Sequence, residues 1–181
     1  MENEITTYSV REQLIIAGIE ELEAHGIADF SLRRVASSCN ISCTAPYKHF
    51  HSKEELIEEI FKYIKSQLDL LLEQVAQIFI DDPQKRLVES GISYINFCLA
   101  NPHFRAIITL SEETLPLKNI VKPLLEQYLP HISPAEIKRR ELLIRSLLYG
   151  SAVMLESGEL EANEESMSSI RESLKRTIEG Y

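Results

Sequence analysis

The residues with the clearest potential for chemistry lie between Phe30 and Lys53, in the stretch FSLRRVASSCNISCTAPYKHFHSK. This stretch contains four basic residues and no acidic one, whereas the rest of the chain carries 15 Lys and Arg against 28 Asp and Glu. A molecule with a net charge of −9 repels a polyanion as a whole. The acid-free stretch is therefore the place where the phosphates of a nucleic acid could approach.

Two short helices are predicted to position these side chains. Apolar residues spaced by three and four indicate a helix over about 32–38, with Ser31 as its N-cap. That helix should end at Asn40, because asparagine tolerates the left-handed conformation. A second helix is predicted from Ser42 to about Lys48, which together with the first gives a helix-turn-helix.

The next helix begins directly after this pair. Ser52 and Glu55 have the spacing of a capping box, so a helix is expected to start at Lys53. The unpaired N–H groups of that first turn, together with the Lys53 ammonium, predict a phosphate clamp.

Three segments carry a family resemblance: IIAGIEELEAHG, SLRRVASSCNIS and APYKHFHSKEELI. Their combined pattern resembles the first helix and the DNA-binding segment of TetR-type transcriptional repressors. The resemblance implies an all-α fold, with a three-helix helix-turn-helix DNA-binding domain over 1–52 and a six-helix ligand-binding and dimerisation domain over 53–181. It implies a homodimeric, ligand-responsive repressor that binds a pseudo-palindromic operator in double-stranded DNA and is released by a small, mostly apolar effector.

Periodicity and capping signals agree with that helix count, including a capping box of Ser9 and Glu12 for the first helix and a cap at Ser133 for a long helix to about Ser157. Nine helices are expected, including a short one over about 102–110. The longest is predicted to run from Lys53 towards Phe79 and to act as the lever between the two domains.

The resemblance also assigns roles in the second helix of the pair. Thr44 and Ala45 would meet base edges, while tyrosine and basic side chains would hold phosphates. The alternative for Tyr47 and His49 is that they only pack against the first helix. Pro46 removes a backbone donor and favours a helix that begins as late as Thr44. The predicted DNA-contacting residues are Arg33, Ser42, Cys43, Thr44, Ala45, Tyr47, Lys48, His49 and Lys53.

Two further groups of candidates lie in the C-terminal domain. Amphipathic and aromatic residues on apolar helices are typical of small-molecule pockets, and these are Tyr94, Phe97, Cys98, His103, Tyr128 and Tyr149. The last two helices have more apolar positions than one packing face requires. By resemblance they would form a four-helix bundle with a second copy, through Leu147, Ser151, Met154, Met167, Ile170 and Leu174. The alternative is a monomer in which both helices pack inward.

The cysteines and histidines beside the helix-turn-helix could suggest zinc. Cys39, Cys43, His49 and His51 include the usual ligand types, but their spacing is not that of a known zinc motif. We therefore predict no metal and no cofactor. A thiol redox switch is an alternative interpretation, because nearby cations would favour the thiolate.

Other function classes receive little support from the sequence. The sequence contains no acid/base or nucleophile pair that would indicate an enzyme. It also lacks an apolar run long enough for a membrane helix and an N-terminal signal peptide, and three cysteines without a CxxC motif suggest a reducing cytoplasm. Two alternatives stay open: a helix-turn-helix protein that acts mainly through protein partners, and a helical enzyme or carrier that binds a small molecule.

Overall fold

The structure is a computed structural model that describes residues 8–101 and 117–180. In these ranges the chain forms seven α-helices, one 3₁₀ helix and no strand, so the predicted all-helical fold is confirmed. No helix in these ranges is both long and apolar enough to cross a membrane. The elements are α1 (Val10–His25), α2 (Leu32–Ser38), the 3₁₀ helix (Ala45–Lys48), α3 (Lys53–Ile78), α4 (Pro83–Ala100), α5 (Lys118–Tyr128), α6 (Pro134–Glu156) and α7 (Glu164–Glu179).

The chain divides into two compact units, Met1–Ser66 and Gln67–Tyr181, which we call the N-terminal and the C-terminal unit. The division falls inside α3, so this helix contributes residues to both units. The boundary predicted between residues 52 and 53 stays a prediction. The short helix expected over 102–110 lies outside the described residues.

The N-terminal unit is built on a core shared by its three α-helices. Leu14 and Leu22 of α1, Val35 and Ala36 of α2, and Leu56 and Ile60 of α3 are almost completely buried. Gly18 allows a close approach of α1 to α3, because a Cβ atom there would collide with the side chain of Ile60. This contact sets the spacing of α1 and α3 in the N-terminal unit.

The C-terminal unit packs α4 against α5, α6 and α7, and α6 also contacts α5 and α7. A Cβ atom at Gly91 of α4 would lie 2.9 Å from a methyl group of Leu148 and 3.3 Å from one of Leu174. Three helices therefore meet closely at this point. Arg140 of α6 donates to the carbonyl of Ile178, which ties α6 to the carboxyl end of α7.

Several predicted helix boundaries are confirmed. Ser9 and Glu12 form a complete capping box at α1, and Ser133 caps α6 through the Glu136 amide. The Ser52 hydroxyl accepts from the Glu55 amide at 3.1 Å, but the Glu55 carboxylate accepts from the amide of His51 instead of Ser52. The expected start of α3 is correct, while its capping box is only half formed.

Candidate nucleic-acid interface

The turn after α2 has the conformation that the sequence predicts. Asn40 has a φ of 55°, and among the described residues it is the single non-glycine residue with positive φ. The amide of Ile41 then donates to the carbonyl of Ala36 at 3.1 Å, which satisfies a carbonyl at the end of the helix. This turn sets the direction of the chain into the following segment.

The second helix of the pair is shorter than predicted. Instead of an α-helix from Ser42, the structure has a turn and then the four-residue 3₁₀ helix. Pro46 occupies its second position, where its missing N–H costs nothing, and its carbonyl accepts from the amides of His49 and Phe50, each at 2.9 Å. Proline at this position explains why the α-helix does not begin at Ser42.

The side chains of this segment divide into anchors and exposed groups. Pro46 is buried, and Phe50 is 1% exposed beneath the guanidinium of Arg11 at 5.2 Å. Tyr47 is 57% exposed, which speaks against the alternative that it only packs on α1. Ala45 is half-buried, whereas the remaining predicted contacts in this segment are exposed: Ser42, Cys43, Thr44, Lys48 and His49.

Lys53 lies at the beginning of α3 and is half-buried. Its ammonium is 3.5 Å from the carbonyl of Ala28 and 5.9 Å from the centre of the Phe30 ring. Both contacts hold the ammonium against the residues that precede α2. The role of Lys53 in a phosphate clamp stays a prediction.

The two neighbouring arginines of α2 differ in their surroundings. Both are exposed, but Arg34 forms an ion pair with Glu21 of α1, whereas no ion pair joins Arg33 to another described residue. The cationic stretch is thus free of acids in sequence but not in space. Burial opposes ionisation of Glu21, yet hydrogen bonds from Arg34 and the Ser31 amide outweigh it and lower the pKa of this carboxyl group.

Glu21 was not predicted from the sequence, because a carboxylate on the first helix gives no signal for a partner 13 residues away. Its exposed fraction is only 7%. Glutamate is rarely that buried unless it is paired. Its position among the apolar residues of α1 is the one feature that could have singled it out.

The thiols of Cys39 and Cys43, near the turn, are both free. Cys39 is half-buried, and its thiol lies 3.5 Å from the carbonyl of Gln13. Burial, and then the charge of Glu20, raise the pKa of the Cys39 thiol. This corrects the expectation that nearby cations favour its thiolate. Within the described ranges, no group of three or more His, Cys, Asp or Glu side chains is placed to hold a metal ion.

The predicted effector residues are partly brought together. Tyr94 of α4 and Tyr149 of α6 meet edge to face, with ring centres 5.8 Å apart. Cys98 is buried one turn after Tyr94, while Phe97 and Tyr128 are half-buried and His103 lies outside the described residues. Burial raises the pKa of both Tyr94 and Tyr149, so both hydroxyl groups stay protonated.

A residue that was not predicted from the sequence accompanies these tyrosines. The guanidinium of Arg145 lies 5.9 Å from the centre of the Tyr149 ring and pairs with Glu141 at 3.2 Å. The Tyr149 hydroxyl and the Arg145 Nε are both buried and have no hydrogen-bond partner among the described residues. The pair therefore retains hydrogen-bonding capacity inside the C-terminal unit.

The six residues predicted for the dimer interface differ in their exposure to solvent. Ser151, Ile170 and Leu174 are buried within the C-terminal unit itself, so their side chains are already covered. Leu147 and Met167 are half-buried, and Met154 is 37% exposed. The exposed apolar side chains of α6 include three that were not predicted: Leu142, Leu143 and Val153.

These exposed residues share one side of α6. At 3.6 residues per turn, an arc of about 140° contains every one of them. Its members are Leu142, Leu143, Ser146, Leu147, Gly150, Val153 and Met154, and we call this surface the α6 face. The exposed side of α7 is polar, since a shallow groove on it is lined by Glu165, Ser168, Ser169, Glu172, Ser173 and Arg176.

Comparison with known proteins agrees with a helix-turn-helix in the N-terminal unit. The N-terminal region, residues 14–60, matches the family described as "Bacterial regulatory proteins, tetR family". Over 100 residues the chain is 26% identical to the "Probable acrEF/envCD operon repressor" of Escherichia coli strain K12. That alignment covers 55% of this chain and 46% of the repressor, so the chain matches about half the length of this curated relative.

Solved structures share the fold over nearly the whole chain. A protein of unknown function from Rhodococcus sp. RHA1 has a TM-score of 0.76 and 20% identity, with 97% of this chain and 98% of that chain covered. A TetR variant from Acinetobacter baumannii AYE, in complex with minocycline, has a TM-score of 0.64 and 16% identity, with 96% of each chain covered.

Residues 14–60, which include the helix-turn-helix, are thus similar to the tetR family of bacterial regulatory proteins.

Proposed function

We propose that the chain is a DNA-binding transcriptional repressor that acts as a homodimer and responds to a small molecule. The observation that carries the proposal is the segment 42–49, which exposes Tyr47, Lys48 and His49 while Pro46 and Phe50 anchor it. A rigid backbone with exposed donors is suited to a DNA groove, where phosphate contacts set the position and base contacts set the sequence.

The proposed DNA contacts are the nine residues predicted from the sequence, with Arg33 as the cation of α2 that reaches phosphate. Arg33 is exposed and forms no ion pair with another described residue. Arg34 is paired with Glu21 and is not part of the proposed contact surface. Each protomer then presents one recognition segment to one half-site.

Homodimerisation is proposed through the α6 face. Leu142 is 65% exposed and Leu143 44%, which places two large apolar side chains side by side in water. Contiguous apolar surface of this kind is typical of protein interfaces. A second copy related by a two-fold axis would cover both faces at once and would give the operator its pseudo-palindromic symmetry.

A small, mostly apolar effector is proposed for the C-terminal unit, near Tyr94 and Tyr149. The TetR variant from Acinetobacter was solved in complex with minocycline, which supports small-molecule binding within this fold. The effector would act by binding one conformation more tightly than another, and such coupling typically amounts to about 1–3 kcal/mol. No catalytic step is proposed.

The test is a selection of bound fragments from random double-stranded DNA at moderate salt. We expect a recovered motif with two-fold symmetry and half-sites about one helical turn or more apart, because each protomer reads one major groove. The variant Tyr47→Ala should recover the same motif with lower enrichment. Recovery of no motif from the wild-type protein would refute the proposal and would favour a protein that acts through protein partners.

A further inference from the structure

The carboxylate of Glu21 connects α1 to the beginning of α2. It accepts the backbone N–H of Ser31 at 3.0 Å and the Nε–H of Arg34 at 2.9 and 3.1 Å. A second Arg34 nitrogen also donates to it. A carboxylate with 7% exposure thus accepts hydrogen bonds from one short stretch, the first turn of α2 and the residue before it.

The bond to Ser31 satisfies one of the free backbone N–H groups at the start of α2. Ser31 occupies the N-cap position of α2 with an extended backbone, but its hydroxyl makes no capping hydrogen bond. Helix α2 has only seven residues, too few to be stable without tertiary contacts. The negative charge of Glu21 lies at the positive end of this short helix, where it is stabilising. The sequence predicted that the Ser31 hydroxyl would cap α2, whereas in the structure this hydroxyl makes no capping bond and the Ser31 N–H donates to a carboxylate on α1.

The bonds to Arg34 restrain an exposed cation. Arg34 also donates to the carbonyl of Asp29, so its guanidinium bridges α1 and the loop before α2. The hydrogen bonds that Arg34 donates to Glu21 raise the pKa of Arg34, which stays charged. For its neighbour Arg33, no ion pair with a described residue provides such a restraint.

We infer that Glu21 is a positioning residue for DNA recognition. It fixes the start of α2, and with it the turn that directs segment 42–49, and it keeps Arg34 away from phosphate. The inference rests on the proposed DNA-binding function. It assigns Glu21 no contact with DNA.

The experiment compares the selected operator duplex with a scrambled duplex of equal length, for wild type, Glu21→Gln, Arg34→Gln and Arg33→Gln. Dissociation constants are measured by fluorescence anisotropy at several salt concentrations, with the folded fraction monitored by circular dichroism. For Glu21→Gln we expect the preference for the operator to fall about tenfold, because a hydrogen-bonded charge at the start of α2 is lost. Binding to the scrambled duplex should not weaken, because the released Arg34 becomes available to phosphate.

The two arginine variants separate positioning from contact. Arg33→Gln should reduce the slope of log K against log salt by about 0.9 per protomer, the value for one phosphate contact. Arg34→Gln should leave this slope unchanged, because its guanidinium is held by Glu21 and Asp29. A loss of slope in Arg34→Gln equal to that in Arg33→Gln would overturn the inference.

A purely structural role for Glu21 gives a different result. In that case Glu21→Gln, compared at equal folded fraction, would change both dissociation constants by the same factor, and the inference would be rejected. Hydrogen exchange of the Ser31 amide adds a readout that does not involve DNA, and it should be faster in Glu21→Ala than in wild type. Failure of the wild-type protein to prefer the operator would refute the proposed function itself, which separates the two conclusions.

Discussion

The two units leave opposite kinds of side chain in water. The N-terminal unit exposes polar and cationic groups around the 3₁₀ helix, including Tyr47 and Lys48, above a filled apolar core. The C-terminal unit exposes a row of large apolar groups on α6, although its own core is also filled. Because neither surface is needed to complete its unit, each indicates the chemistry of what covers it. The first surface suits phosphates and base edges, and the second suits a second copy of the chain.

The largest effect is expected from a charge placed on the α6 face, which tests whether this surface mediates self-association. Leu142→Asp should weaken self-association at least about 30-fold, because an apolar contact of the proposed interface is replaced by a desolvated charge in both copies. Sedimentation equilibrium over a range of concentrations measures this effect. Operator binding should weaken in parallel, because single protomers lose the second half-site.

The matched control is Leu70→Asp on α3. Leu70 is 51% exposed and therefore also presents apolar surface to solvent, but it does not belong to the α6 face. We expect this variant to associate like the wild type. Equal weakening by both substitutions would show that exposure alone, and not the α6 face, determines association.

The cationic surface is tested by Lys53→Ala. We expect weaker binding by a similar factor on every duplex and a salt dependence reduced by about one phosphate contact per protomer. Lys62→Ala is the control, because this lysine lies further along α3 and pairs with Glu59 at 2.9 Å. Unchanged affinity and slope in Lys53→Ala would mean that its contacts with Ala28 and Phe30 are its whole role.

The smallest expected effect concerns acid stability of the C-terminal unit. Hydrogen bonds from Arg139 and then Arg140 lower the pKa of Glu136 to about 2. A carboxyl group with a lowered pKa stabilises the folded state above its unfolded value of about 4.3, and this contribution is lost as the pH falls towards 2. Thermal unfolding at pH 5 and pH 3 should therefore show a smaller loss of stability in Glu136→Gln than in wild type. The same loss in both proteins would contradict this assignment.

Local signals in the sequence predicted much of the fold. The capping box at Ser9, the left-handed residue Asn40 and the first residue of α3 depend on neighbours within about four positions, and all three are confirmed. Pro46 likewise contained the information that the recognition segment begins late. It did not reveal that the segment forms a 3₁₀ helix.

Contacts between helices could not be predicted from the sequence in the same way. The sequence contains no indication that Glu21 reaches across to Arg34, because periodicity places residues on faces and does not pair those faces. The same limit applies to α7, where Ile170 and Leu174 proved to be buried by their own chain. The spacing of apolar residues on a helix predicts that they are buried, but it does not say whether the same chain or a second molecule buries them.

Gly18 places a particular restriction on how this protein can vary. Because the Ile60 side chain occupies the space that a Cβ atom at position 18 would need, the two positions share a single volume. A larger residue at position 18 would require the Ile60 side chain to shift, in an interior packed as densely as a crystal. The spacing between α1 and α3 thus depends on both residues: Gly18 leaves the space and the Ile60 side chain fills it.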